Sequence, residues 1–236
     1  MEIITSLTND QIVKFAKLKQ KKYRDEYNMF IVEDDHLIKE AIKNNLVYKT
    51  IGLDETCDIK ATKEILDKLS SQDSGAKKIA IVKKIEEKEV SGDVLILDNI
   101  QDPGNLGTII RSATAFGINT IILSDDSVDL YNEKVIRATE GMIFNINIIR
   151  RNLLSEIPKL KDMGYVIYST DLGGNTSSFT GEKIALVMGN EGNGIKKEIA
   201  NLCDKNILID IDESCESLNV AIASSILMYE MKKRGK

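Results

Sequence analysis

Three stretches of this chain place polar residues directly behind a short apolar run. In the first, Leu97-Asp98-Asn99-Ile100-Gln101-Asp102-Pro103-Gly104-Asn105 leads into Leu106-Gly107, with Arg111 six residues past Asn105. In the second, Leu186-Val187-Met188 runs into Gly189-Asn190-Glu191-Gly192-Asn193-Gly194. In the third, Asn206–Ile211 is followed by Asp212-Glu213-Ser214-Cys215-Glu216 and Ser217-Leu218-Asn219. Each reads as strand, polar turn, helix. In an open α/β sheet such turns lie at the carboxyl ends of strands, where ligands bind. An arginine there suits a phosphate or carboxylate, because its planar fork matches two oxygens. Three glycines in six residues let backbone approach a ligand closely. The order G-x-x-G-x-G reverses the dinucleotide fingerprint, and no P-loop Lys-Ser/Thr pair follows. Glu191 would repel a pyrophosphate and would better tolerate an amine or a sulfonium.

The elements that position these residues follow from periodicity. Val220, Ile222, Ala223, Ile226, Leu227 and Met231 have helical spacing, and Ser217 is expected to cap that helix. Asn105 is expected to cap a helix over Asn105–Phe116. Taken alone, these are a capped core helix, a surface arginine and a tight glycine turn. Apolar strands at Asp93–Leu97, Ile118–Leu123, Phe144–Ile149, Tyr165–Ser169, Ile184–Met188 and Asn206–Ile211 alternate with helices at Glu133–Thr139, Leu153–Met163 and Ile195–Leu202. Near-continuous apolar strands indicate a sheet covered on both faces, hence mainly parallel. A polar turn, Thr170-Asp171-Leu172-Gly173-Gly174, follows the fourth of these strands. The earlier part has strands at Phe30–Val32, Val47–Leu53 and Ile79–Lys83, with helices at Leu37–Asn44 and Ala61–Leu69, a small α/β pattern. The charged run Lys83–Gly92 separates two domains, 1–88 and 89–236.

Charge is unevenly spread. The chain carries a net −5, yet residues 1–90 hold 17 basic and 17 acidic side chains, against 15 and 20 in 91–236. An amphipathic helix running from Ile12 to Arg24 carries Lys14, Lys17, Lys19, Lys21, Lys22 and Arg24, with no acid between them. That face is either solvated surface or a contact for phosphates. Three scattered cysteines, Cys57, Cys203 and Cys215, suit neither a disulfide framework nor zinc, and the single histidine, His36, excludes histidine triads and multi-histidine metal sites. No metal is expected. Met1–Asp10 has no secretory pattern and no apolar run approaches the ~18 residues of a membrane span, so a cytoplasmic protein is expected.

Together the three stretches resemble the SpoU branch of the SPOUT RNA methyltransferases. Asn105-Leu106-Gly107-x-x-x-Arg111, Gly189-x-Glu191-x-x-Gly194 and Ser217-Leu218-Asn219-Val220 match its motifs in order and spacing, over residues 97–228. Phe30-Ile31-Val32-Glu33 is similar to the start of the family's small substrate-binding domain, an α/β fold related to RNA-binding ribosomal proteins. The resemblance implies a mainly parallel sheet with a C-terminal trefoil knot, a homodimer through the methyltransferase domain, and methyl transfer from S-adenosylmethionine to a ribose 2′-hydroxyl. Ribosomal RNA is the first expected substrate and tRNA the second. It further implies a catalytic group of Asn105, Arg111, Glu191, Ser217 and Asn219. The cofactor would lie against Thr170, Met188, Gly189, Asn190, Gly194, Ile209, Ile211, Leu218 and Asn219. RNA would meet Lys14, Lys17, Lys21, Lys22, Arg24 and Arg111. Two departures stand out: Ile209-Asp210-Ile211-Asp212-Glu213 replaces the family's Ile-Pro-Met-x-Gly, and Asp34 stands where a glycine usually follows Glu33. The added acids leave open a non-catalytic RNA-binding relative, while the missing fingerprint argues against a nucleotide-cofactor oxidoreductase.

Overall fold

The first 86 residues begin with a three-residue strand that the sequence pattern did not reveal. In the computed structural model, which describes residues 1–72, 75–170, 178–190 and 192–234, this strand is β1 (Glu2–Ile4). It is followed by α1 (Asp10–Lys17), α2 (Lys21–Tyr27), β2 (Met29–Val32), α3 (Asp35–Lys43), β3 (Val47–Gly52), β4 (Ile59–Ala61), α4 (Lys63–Leu69) and β5 (Lys78–Lys83). The remainder comprises β6 (Val94–Leu97), α5 (Pro103–Phe116), β7 (Thr120–Leu123), α6 (Glu133–Ala138), a 3-10 turn at Met142–Asn145, β8 (Asn147–Arg150) and α7 (Leu153–Asp162). Then come β9 (Val166–Thr170), β10 (Ile184–Met188), α8 (Lys197–Ala200), β11 (Lys205–Ile207) and α9 (Val220–Lys233). Glu191 and the polar turn beyond Thr170 lie outside the described residues.

Two compact units result. One is Met1–Glu86 with Asp129–Phe144; the other is Glu87–Val128 with Asn145–Lys236. The first holds a mixed sheet in the order β1-β4-β3-β5-β2. Ile12, Phe15 and Leu18 pack with Ile65, Leu66 and Leu69 and with strand residues Ile51, Ile59 and Ile79. The basic stretch expected as one helix, Ile12–Arg24, is two. Gln20 is extended at φ −100 and ψ 134. The guanidinium of Arg24 donates to the carbonyls of Leu18 (2.9 Å) and Lys19 (2.8 Å), holding the break between α1 and α2. The segment 129–144, which the sequence pattern leaves with the later domain, completes this unit. Phe30 lies 4.8 Å from the ring of Tyr131 and 6.4 Å from that of Phe144, and Arg24 pairs with Asp129 at 2.6 Å.

The second unit has six parallel strands in the order β11-β9-β10-β6-β7-β8. The sequences VLIL, TIIL and IALVM are buried at every position, as strands covered on both faces must be. β10 enters between β9 and β6, so a later strand closes the middle of the sheet. Ile96, Ile122 and Val187 pack with Leu153, Ile157 and Ile199. Helices α5 and α9 run together: Ser225 Oγ donates to Ser112 Oγ at 2.8 Å, and Phe116 meets Tyr229 at 5.8 Å between ring centroids. Several expected bounds shift. The strand expected over Asn206–Ile211 ends at Ile207, and the helix expected over Ile195–Leu202 shortens to Lys197–Ala200. The strand expected over Phe144–Ile149 starts only at Asn147, because a 3-10 turn holds Phe144 in the first unit's core.

Candidate active site

The site grows from the ends of β6, β10 and β11. After β6 the chain turns, and Asp102 caps α5 by accepting the N–H of Asn105 at 2.7 Å. Pro103 and Gly104 are the first two helical positions rather than a break before it. Proline fits there because the first N–H of a helix has no intrahelical partner. Asn105 is therefore not the cap; its side chain is left for another contact. Arg111 lies nearly two turns on, exposed, with no hydrogen bond or ion pair to any described residue.

After β10 the chain makes a closed loop. Asn190 and Gly194 exchange two backbone hydrogen bonds, each 2.9 Å. Asn190 Oδ1 accepts the N–H groups of Gly192 (2.9 Å) and Asn193 (3.1 Å), and its Nδ2 donates to the carbonyl of Asn99 at 2.8 Å. A Cβ at Gly189 would stand 2.2 Å from the carbonyl carbon of Gly194, so no other residue fits without moving backbone. Asp98, which the sequence reading passed over, anchors the far side of this loop. It is 1% exposed, its N–H donates to the carbonyl of Met188, and its carboxylate accepts the N–H of Lys196 at 2.9 Å. The one available signal was an aspartate directly after a fully apolar strand.

Past β11 the chain continues without regular structure through residues 208–219. The cap of α9 is Asn219, not Ser217. Asn219 Oδ1 accepts the N–H groups of Ala221 (2.9 Å) and Ile222 (3.3 Å), and Nδ2 donates to Asn105 Oδ1 at 3.0 Å. Both residue types cap well, and the helix starts two residues later than the spacing suggests. Ser217 instead lines a cavity of about 350 Å³.

That cavity gathers eight of the nine expected cofactor residues: Thr170, Met188, Gly189, Asn190, Gly194, Ile209, Ile211 and Leu218. The ninth, Asn219, does not line it. Ile207, Leu208, Val220, Ala223 and Leu227, not foreseen, complete its apolar wall. The volume falls within the range of small-molecule sites, roughly 300–1,000 Å³. Aliphatic walls suit an adenine ring, and the glycine loop offers backbone polar groups to an amino acid tail, so these residues fit S-adenosylmethionine.

The expected RNA contacts divide. Lys14, Lys17 and Lys22 sit over tyrosine rings, and Lys21 pairs with Asp25 at 2.6 Å. Arg24 does not join them. It is 5% exposed and its guanidinium is engaged by Leu18, Lys19 and Asp129, so it holds the fold.

Comparison with known proteins places this arrangement. Residues 93–229 match the model of the SpoU rRNA Methylase family, and residues 9–95 match the MRM3-like substrate binding domain. The chain is 34% identical to the 23S rRNA (guanosine(2553)-2′-O)-methyltransferase RlmP of Bacillus subtilis, over 98% of this chain and 100% of that one. An AdoMet-bound rRNA methyltransferase from Sinorhizobium meliloti superimposes with a TM-score of 0.88 at 26% identity, covering 100% of this chain and 98% of that one. The fold is shared as well with the SpoU methyltransferase AviRb of Streptomyces viridochromogenes in complex with AdoMet, at a TM-score of 0.84 and 23% identity over 96% and 98% of the two chains. The chain belongs to the SpoU rRNA methylase family.

Proposed function

We propose that this protein transfers a methyl group from S-adenosylmethionine to a ribose 2′-hydroxyl of large-subunit ribosomal RNA, within the cytoplasm. The nucleoside named for the Bacillus subtilis relative, a guanosine, is the first target to examine. The observation that carries the reading is the meeting of the three polar turns. Asn219 bonds to Asn105 across 114 residues of sequence, and the residues flanking Asn219 line the cavity beside the glycine loop.

The cofactor supplies a methyl group already activated on a sulfonium. What the chain must add is mostly placement, which can remove about 7–11 kcal/mol of a barrier when the geometry is right. The apolar wall excludes water from the reacting groups. The Asn105–Asn219 pair holds the starts of α5 and α9 together next to Leu218 and Val220 of the cavity wall. Arg111 grips a phosphate beside the target ribose, its planar guanidinium fork matching two phosphate oxygens, and so acts as a clamp. Ser217 and Glu191 complete the group by the family's pattern.

Two features of assembly belong to the same reading. The C-terminal chain is taken to be threaded as a trefoil knot, a rare exception to unknotted topology. The protein is taken to be a homodimer through the methyltransferase unit. In support, α9 leaves Ile222, Ile226 and Tyr229 exposed at 54%, 39% and 49%, at helical spacing.

The test is transfer of labelled methyl to ribosomal RNA from cells lacking the gene, followed by mapping of 2′-O-methylated nucleosides. A labelled 2′-O-methylnucleoside in large-subunit RNA is expected. RNA binding without transfer and without cofactor binding in calorimetry would overturn it. That outcome would favour the RNA-binding relative, for which the exposed acids Asp210, Asp212 and Glu213 beside the cavity already speak.

A further inference from the structure

The break between α1 and α2 brings lysines of one helix beside tyrosines of the next. Tyr23 and Tyr27, four apart on α2, stack with centroids 5.9 Å apart and planes inclined by 29°. Lys14 Nζ lies 4.8 Å from the centroid of Tyr27, and Lys17 and Lys22 lie 5.3 Å and 5.7 Å from that of Tyr23. The other basic groups of these helices are occupied. Lys21 is held by Asp25, which Lys84 shares, Lys19 donates to the carbonyl of Ser70, and Arg24 is buried. Lys14, Lys17 and Lys22 have no ion pair with any described residue. The result is two rings, partly exposed, framed by three uncompensated cations.

We propose that this face is a stacking platform for unpaired nucleotides of the RNA substrate. The proposal rests on the RNA-methylation reading above and adds which part of an RNA it takes. A nucleotide carries both matching groups, a flat π-face for the rings and a phosphate for the displaced lysines. Duplex RNA hides its base faces within the helical stack, and its bases are splayed only in loops, bulges and ends. The rings therefore distinguish loop RNA from duplex RNA, whereas the lysines attract both. Tyr27 also packs against the core of the small unit, which fixes the platform to it.

The experiment measures equilibrium binding of the full chain to two probes across a salt series: a short RNA hairpin with an unpaired purine-rich loop, and a blunt RNA duplex of equal length. Tyr23→Ala and the double variant Tyr23→Ala/Tyr27→Ala should weaken hairpin binding by about tenfold or more, with little change for the duplex and no change in salt slope. Tyr23→Phe should bind as wild type. Replacing Lys14, Lys17 and Lys22 with Gln should weaken both probes and flatten the salt dependence. Should Tyr27→Ala unfold the small unit, Tyr23→Ala alone decides the matter. Tyrosine variants that bind the hairpin as wild type, or lose hairpin and duplex equally, overturn the stacking platform while leaving an electrostatic RNA face in place. If the lysine variant is silent as well, the RNA face falls with it.

Discussion

Arg111 stands exposed on α5 with no partner among the described residues, so a phosphate need not displace an internal pair to reach it. Lysine keeps the charge but loses the two-pronged grip. Arg111→Lys should lower single-turnover methylation by about tenfold or more, roughly 1.4 kcal/mol of transition-state stabilisation, and Arg111→Ala should lower it further. Calorimetry should find cofactor affinity unchanged in both. A wild-type rate in Arg111→Ala would remove the residue from the mechanism. Gly189 makes the opposite prediction. A Cβ there would stand only 2.2 Å from the Gly194 carbonyl carbon, so Gly189→Ala should open the loop and abolish measurable cofactor binding while the small unit stays folded. At this scale the sequence was informative wherever a residue type has few uses, as with three glycines in one turn. It misled where one type has two uses. Arg24 reads like its basic neighbours, and nothing in the local pattern points to Asp129, 105 residues away. Asn105, Ser217 and Asn219 are all good caps, and only the helix starts reveal which of them caps.

Helix α9 joins capping to the site through one side chain. Asn219 Oδ1 serves the helix and Nδ2 serves Asn105. The two roles separate in Asn219→Asp, which retains the capping oxygen and loses the donor. Its melting temperature should match wild type and its transfer rate should fall. Asn219→Ala should lose both, with about 1 kcal/mol of stability gone with the cap. Equal rates in wild type and Asn219→Asp would mean the contact with Asn105 does not matter for transfer. The elements themselves were readable where apolar runs are fully buried, as in β6, β7 and β10. β1 and β4 escaped because each is three residues long and is defined by its pairing, β1 on β4 at the sheet edge and β4 between β1 and β3. β11 was overextended because Ile209 and Ile211 are apolar for another reason, as walls of the cavity.

For the whole molecule, the apolar stripe of α9 leads to a prediction about assembly. A charge at its centre, Ile226→Glu, should convert a dimer into a species near 26.3 kDa in sedimentation. A wild-type protein that already sediments at that mass at micromolar concentration would exclude the dimer. Net charge said little about an RNA partner, since an acidic chain can still gather basic side chains locally, as it does on two short helices. The sequence pattern leaves 129–144 with the later domain, whereas the segment packs into the first unit, because an amphipathic segment does not announce which core it joins. That membership bears on how the protein is made. A ribosome releases the chain from the N-terminus, and domains tend to fold as they emerge. Here the first unit cannot finish when residue 86 appears, since Phe30 still lacks Tyr131 and Phe144, and Arg24 lacks Asp129. Until residue 144 has left the tunnel, the nascent N-terminal unit keeps an uncovered aromatic surface, the kind of surface chaperones bind, while β6, α5 and β7 emerge ahead of the segment it waits for.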